Sequence, residues 1–225
     1  MRKMAGVSLF CFMIAGVFFW TYESRKIDRD ERLLHMAVKP AELADETKRI
    51  FSIIGQHAQL FDVDVDPDQA SMIKVWVERF EHGEKRENVI DYGVGIDLPD
   101  AQEASGKLHR EQLLFILSQN QDQRTQERRL SITSAVMSDA SAGSTTSDVH
   151  LPPHTGSQLT WMNSAELELH LNRPVTLGFL IEFDDRTIRH SGGSAEEYDA
   201  TGNLPEELRR HDRVFLLRMM LQGKE

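Results

Sequence analysis

Four groups of residues have the types and spacing that could do chemistry. Asp62, Asp64, Asp66 and Asp68 alternate through FDVDVDPD. Carboxylates at every second position are the hard oxygen ligands that open a calcium loop. Here the rest of the loop fails: Pro67 stands where the sharp turn needs Gly, and Ile73 where a bidentate Glu is needed. The run reads better as a solvated connection leading into a strand. His150 and His154 are four apart in HLPPH, a spacing that puts two imidazoles on one face of a helix. Pro152 and Pro153 forbid that helix, which leaves an exposed extended loop. Glu166, Glu168 and His170 alternate along one strand. If Asn172 to Pro174 closes a hairpin, His170 faces Thr176 and Glu168 faces Gly178. The three polar side chains then line one outward strip with a gap over Gly178. Two carboxylates and an imidazole can move protons or hold a cation, although polar residues also belong on any wet sheet face.

The fourth group is aromatic. Trp76 and Phe80 share a strand face with Lys74 and Glu78, and Trp161 lies further on. Such rings can stack on a sugar or a peptide. They can also be core residues beneath a second layer, which so much apolar area favours. His190, Ser191 and Ser194 in HSGGS have no placed base and orienter to make a triad. The chain has no G-x-S-x-G, no Gly-rich phosphate loop and no H-E-x-x-H, so no nucleophile elbow, nucleotide cradle or zincin helix is expected. No residue is therefore assigned a catalytic, cofactor-binding or metal-binding role, and no cofactor is expected.

Elements must position these groups, and the first is an anchor. Met4 to Tyr22 contains no charged residue and follows Arg2 and Lys3. Nineteen residues reach about 28 Å as a helix, close to the ~30 Å of bilayer hydrocarbon. Trp20 and Tyr22 stand at its far end, where amphipathic rings favour the interface. FFWTYESR lacks the small residues of a signal cleavage site, so the segment is expected to stay as a single transmembrane helix. Basic residues after it (Arg25, Lys26, Arg29 and Arg32) outnumber those before it. The order of short basic tip, apolar middle and long remainder is nevertheless that of an export signal, and long domains translocate largely regardless of charge. The remainder is expected outside the cytoplasm.

That remainder has 24 basic and 36 acidic residues, a net charge of −12. Such a surface disfavours nucleic acid. The one Cys is Cys11, inside the apolar run, so the rest has no disulfide and no thiol nucleophile.

Residues 23–38 read as a stalk. Leu43, Ile50, Phe51, Ile54, Ala58 and Phe61 recur at helical spacing after Pro40, predicting an amphipathic helix over about 40–60. Beyond residue 71 the period becomes two. Strands are predicted over 72–81, 90–97, 113–117 and 130–136, in a hairpin over 165–183, and over 213–221. Residues 113–117 and 213–221 are apolar on both faces, as fully covered strands are. Glu81 to Glu84 is a turn, residues 138–147 (SDASAGSTTS) read as a Ser/Thr-rich loop, and 205–210 as one helical turn. The fold class is mainly β: a transmembrane helix, a short amphipathic helix, then an antiparallel β-sandwich-like domain. The expected divisions are 1–22 (tip and anchor), 23–70 (stalk and helix) and 71–225 (β domain). The expected function is a membrane-anchored binding module, an accessory or sensor domain. Lipid would be its partner through residues 4–22, and a protein or an envelope polymer through the β domain. The alternative is an envelope hydrolase using the Glu166–Glu168–His170 strip or the Asp62–Asp68 run.

Overall fold

Period-two hydrophobicity is realised as two antiparallel sheets in the computed structural model. It describes residues 35–41, 44–46, 48–49, 56–96, 108–121, 128–137, 142–152, 156–162, 166–183 and 195–224. These belong to one compact unit, Leu34–Glu225. The expected anchor, residues 4–22, lies outside them. No helix among the described residues is long and apolar enough to cross a membrane.

The first sheet runs β10-β1-β2-β6-β7-β8. Its strands are β1 (Ala37–Ala41), β2 (Gln56–Val65), β6 (His109–Gln121), β7 (Arg128–Met137), β8 (Ala142–Leu151) and β10 (Leu167–Glu168). The second runs β4-β3-β12-β11-β9, with β5 also on β3. It comprises β3 (Ala70–Glu81), β4 (Glu84–Lys85), β5 (Ile90–Gly95), β9 (Gly156–Trp161), β11 (Val175–Phe183) and β12 (Arg213–Gly223). Two short helices follow β11: α1 (Ala195–Thr201) and α2 (Glu206–Arg209).

One apolar cluster joins the sheets. Phe61, Val63, Leu113, Phe115 and Ile132 from the first meet Val75, Val77, Leu177, Phe215 and Leu217 from the second. Each fully buried aliphatic or aromatic side chain contributes about 1.5–3 kcal/mol, so neither sheet is stable without the other's inner face. A smaller cluster lies on the far side of the second sheet, where Tyr198, Leu204 and Leu208 cover Phe80, Phe179, Ile181, Val214 and Leu216. This explains why β12 is apolar on both faces: Phe215 and Leu217 belong to the inner core, and Val214 and Leu216 lie under the helices. At one margin Tyr92 of β5 meets the buried Ser134 of β7, hydroxyl to hydroxyl, at 2.9 Å.

The β3–β4 turn has the expected place and chemistry. His82 (φ 50°) and Gly83 (φ 80°) both take positive φ, as a two-residue turn matched to strand twist demands.

Four expectations are corrected. The helix predicted over 40–60 is strand at both ends, 37–41 and 56–60, with residues 45, 46, 48 and 49 helical between them. Residues 42, 43, 47 and 50–55 lie outside the described residues. Ala58 and Phe61 fit a period of 3.6 by coincidence; three positions apart, they lie on opposite faces of β2, and β2 pairs with β6 over ten residues. Pro40 sits in β1, where β10 no longer pairs and a missing N–H costs nothing. The Ser/Thr-rich run is strand from Ala142, paired with β7 throughout. Helix α1 was not expected. Finally, residues 165–183 are not a hairpin. Leu167 and Glu168 pair with β1 in the first sheet, while β11 pairs with β9 and β12 in the second. The chain crosses between layers at 169–174, where Asn172 adopts φ 60°. There its N–H donates to the Leu221 carbonyl and its side-chain oxygen accepts from the Gly223 N–H.

Candidate functional site

The crossover dissolves the expected strip. Glu168 lies opposite Ala37, Gly178 opposite Trp161 and Leu217, and Thr176 opposite Arg218. Glu166 instead meets His35, Nε2 to Oε1, at 2.9 Å. The gap over Gly178 is filled by Trp161: a Cβ there would lie 2.6 Å from the indole Cε3. Trp161 packs edge-on to Phe61, with centroids 6.1 Å apart.

The aspartates of FDVDVDPD divide by place. Asp62 and Asp64 lie on β2 between the core residues Phe61, Val63 and Val65. Asp62 accepts from Gln112 at 3.1 Å, and Asp64 accepts from Arg110 Nε at 2.7 Å. Asp66 caps the following turn by accepting the Asp68 N–H at 2.9 Å. No group of three or more metal-ligating side chains occurs among the described residues. His150 is exposed on β8, opposite Arg129. His154 and the HSGGS segment lie outside the described residues.

Two buried charge clusters replace the expected sites. The first lies under α1. Glu78 accepts hydrogen bonds from Trp76 Nε1 (2.9 Å), Lys85 Nζ (2.9 Å) and Arg218 Nη1 (3.2 Å) on one oxygen, and from the Tyr198 hydroxyl on the other. Arg218 lies over the Tyr198 ring, 4.6 Å from its centroid, and near the Trp76 ring at 5.4 Å. Arg218 Nη2 donates to Asp199 at 2.9 Å, and Asp199 accepts the Thr176 N–H and hydroxyl, both at 2.7 Å. Burial raises the Glu78 pKa, but the bonds from Tyr198, Trp76 and Lys85 and the Arg218 charge outweigh it, leaving the carboxyl below its ordinary value. Burial, then the Glu78 carboxylate, push the Tyr198 phenol well up. Four donors tie this carboxylate to β3, β4, β12 and α1 at once. The cluster therefore clamps a helix to a sheet. Trp76 and Phe80 are its covered walls, the second of the two roles open to them in sequence.

The second cluster bridges the sheets. Glu182 of β11, fully buried, accepts Arg128 Nη2 of β7 and Arg213 Nε of β12, each at 2.7 Å. Arg128 and Arg213 are themselves buried, at 6% and 7% exposed. Arg213 Nη2 is buried and has no hydrogen-bond partner among the described residues. Sequence reasoning missed all of this, because Glu182 is one polar residue in an apolar strand and its partners lie 54 and 31 positions away.

The third feature is an edge. β8 pairs with β7 at all ten positions without a bulge, and among the described residues no strand hydrogen-bonds to its other side, although Val94 of β5 packs against Gly143 near its start. Natural edges are blunted by Lys, Pro, bulges or shortness. β8, AGSTTSDVHL, has none of these. Its one carboxylate, Asp148, is held below its ordinary pKa by the Arg129 guanidinium, against partial burial and with help from the Ser131 hydroxyl.

A family model, the YgaN domain, matches residues 37–221. The chain belongs to the YgaN domain family. The match opens at the first residue of β1 and closes on β12, so the YgaN domain takes in the two sheets together with α1 and α2. No curated protein and no solved structure matches.

Proposed function

We propose that this YgaN-domain chain is a single-pass membrane-anchored binding module. Residues 4–22 hold it in lipid, the acidic β domain faces away from the cytoplasm, and a partner protein adds an extended segment to the free edge of β8. The observation that carries this reading is the edge itself. It is ten residues long, regular and nearly free of charge, and its backbone donors and acceptors form a ready template for another strand. The small Ser and Thr side chains place no bulk beside that backbone. An envelope polymer, the other partner expected from the sequence, would not use a ladder of amide bonds.

The test is a pair of strand-edge charges in the full chain, Ser144→Lys with Thr146→Lys. Both side chains point to the outer face, so the core is untouched. A photoreactive residue at position 142, on the same outer face, should crosslink in intact cells to a partner protein, and the two lysines should abolish the product. Crosslinking that persists with both lysines present overturns the edge reading. A C-terminal tag that external protease cannot reach overturns the orientation.

A further inference from the structure

Between the sheets lies a cleft of about 310 Å³, within the range of small-molecule pockets. It goes beyond the β8 reading, since β8 takes no part in it. Leu117 of β6, Leu159 of β9 and Leu180 of β11 form its apolar walls together with Trp161. Its polar rim includes Gln119 and Ser157, whose side chains meet across it, Gln119 Nε2 to Ser157 Oγ, at 3.4 Å.

The rim leads to the inter-sheet charge cluster. Ser157 lies opposite Glu182 in the β9–β11 ladder. The Gln119 amide oxygen also stands 3.4 Å from Arg128 Nη2. Among the described residues Arg128 thus has one close acceptor, Glu182, and two distant ones, the second being the Pro152 carbonyl at 3.4 Å. Bonds of 3.4 Å are weak, so the Gln119 amide is easily displaced from its place. Two buried guanidiniums share one carboxylate, and a further anionic oxygen would complement them.

We propose that the cleft binds an amphipathic monocarboxylate. Its apolar body lies among Leu117, Leu159, Leu180 and Trp161. Its carboxylate takes the position of the Gln119 amide oxygen, accepting from Arg128 Nη2 and from the Ser157 hydroxyl. No bond is made or broken; the ligand is held by burial and by a charge-assisted hydrogen bond.

Octanoate is the probe, with octanol as its uncharged counterpart, titrated into the full chain in nanodiscs after correction for uptake by empty discs. Leucine methyl NMR reads the site. Octanoate should shift the Leu117, Leu159 and Leu180 methyls saturably, and octanol should bind at least tenfold more weakly. Gln119→Glu sets a fixed carboxylate beside Arg128 from an exposed position. It should weaken octanoate at least tenfold while leaving octanol unchanged. The absence of methyl shifts, equal binding of the two probes, or a Gln119→Glu chain that keeps its octanoate affinity would each overturn the proposal. If that variant does not fold, the ratio of octanoate to octanol affinity decides alone.

Discussion

Glu78 and Arg218 show how one buried pair can hold a helix on a sheet. Their side chains are 5% and 7% exposed, and each has lost its water. Removing the Glu78 charge leaves the buried Arg218 with Asp199 as its remaining carboxylate among the described residues, which costs up to about 3–5 kcal/mol. Glu78→Gln should therefore destabilise the domain by that amount in urea unfolding, and α1 should lose amide protection first. The pH dependence follows in sign. The folded carboxyl titrates below its ordinary value, so its contribution is complete above the unfolded-chain value of about 4.3. It is lost as pH falls through the lower folded value. Stability of the native chain should thus fall across that window, and Glu78→Gln should flatten the acid limb there. An equal acid limb in both proteins would show that the Glu78 carboxylate is not linked to folding. Tyr198→Phe removes one of the four donors without emptying the pocket. A hydrogen bond to a charged group contributes about 1.5–3 kcal/mol, so this loss, read from the urea midpoint, should be smaller than that of Glu78→Gln.

At the scale of elements, β9 and β11 fit because Gly178 has no side chain. A Cβ there would stand 2.6 Å from the Trp161 ring and 3.0 Å from the Thr160 carbonyl oxygen. The indole is pinned by Phe61 and the carbonyl by its own ladder, so neither yields cheaply. Gly178→Ala should cost about 1–3 kcal/mol by overpacking. Trp161→Leu should recover part of that loss in the double variant, as measured by a double-mutant cycle; strictly additive costs would mean the two do not touch. Strand pattern was legible for most of this region. Ile73, Val75 and Val77 alternate, as do Leu130, Ile132 and Val136, and each row faces the core. The turn at His82–Gly83 was legible because Gly announces it. The Ser144–Ser147 run was not, since polar composition reads as loop while ten cross-strand partners in β7 make it strand. Helix α1 was missed because a seven-residue helix has room for little apolar periodicity, and Tyr198 is its one buried residue.

At the scale of the whole molecule, β2 is the strand that ties the early chain to the late one. It lies between β1 and β6 and contributes Phe61, Val63 and Val65 to the shared core. A chain beginning at residue 71 should fail to unfold cooperatively in urea and should show collapsed proton dispersion, because β6 would present an unpaired edge beside an open core. A sharp two-state transition from that shortened chain would show that the second sheet can close its core without β2.

The sequence by itself determined that residues beyond 71 are mostly strand, that 113–117 and 213–221 are covered on both sides, and that no recognised catalytic motif is present. Those are local properties, written in the alternation of neighbouring side chains. Which strand sits beside which was decided only in three dimensions. The row Glu166–Glu168–His170 and the row beginning at Val175 look like the arms of one hairpin, yet a six-residue crossing at 169–174 sends them to opposite sheets. Burial of both apolar faces against each other outweighs the convenience of a short turn. The same collapse of distant strands brings Arg128, Glu182 and Arg213 together, a juxtaposition that local patterning does not encode.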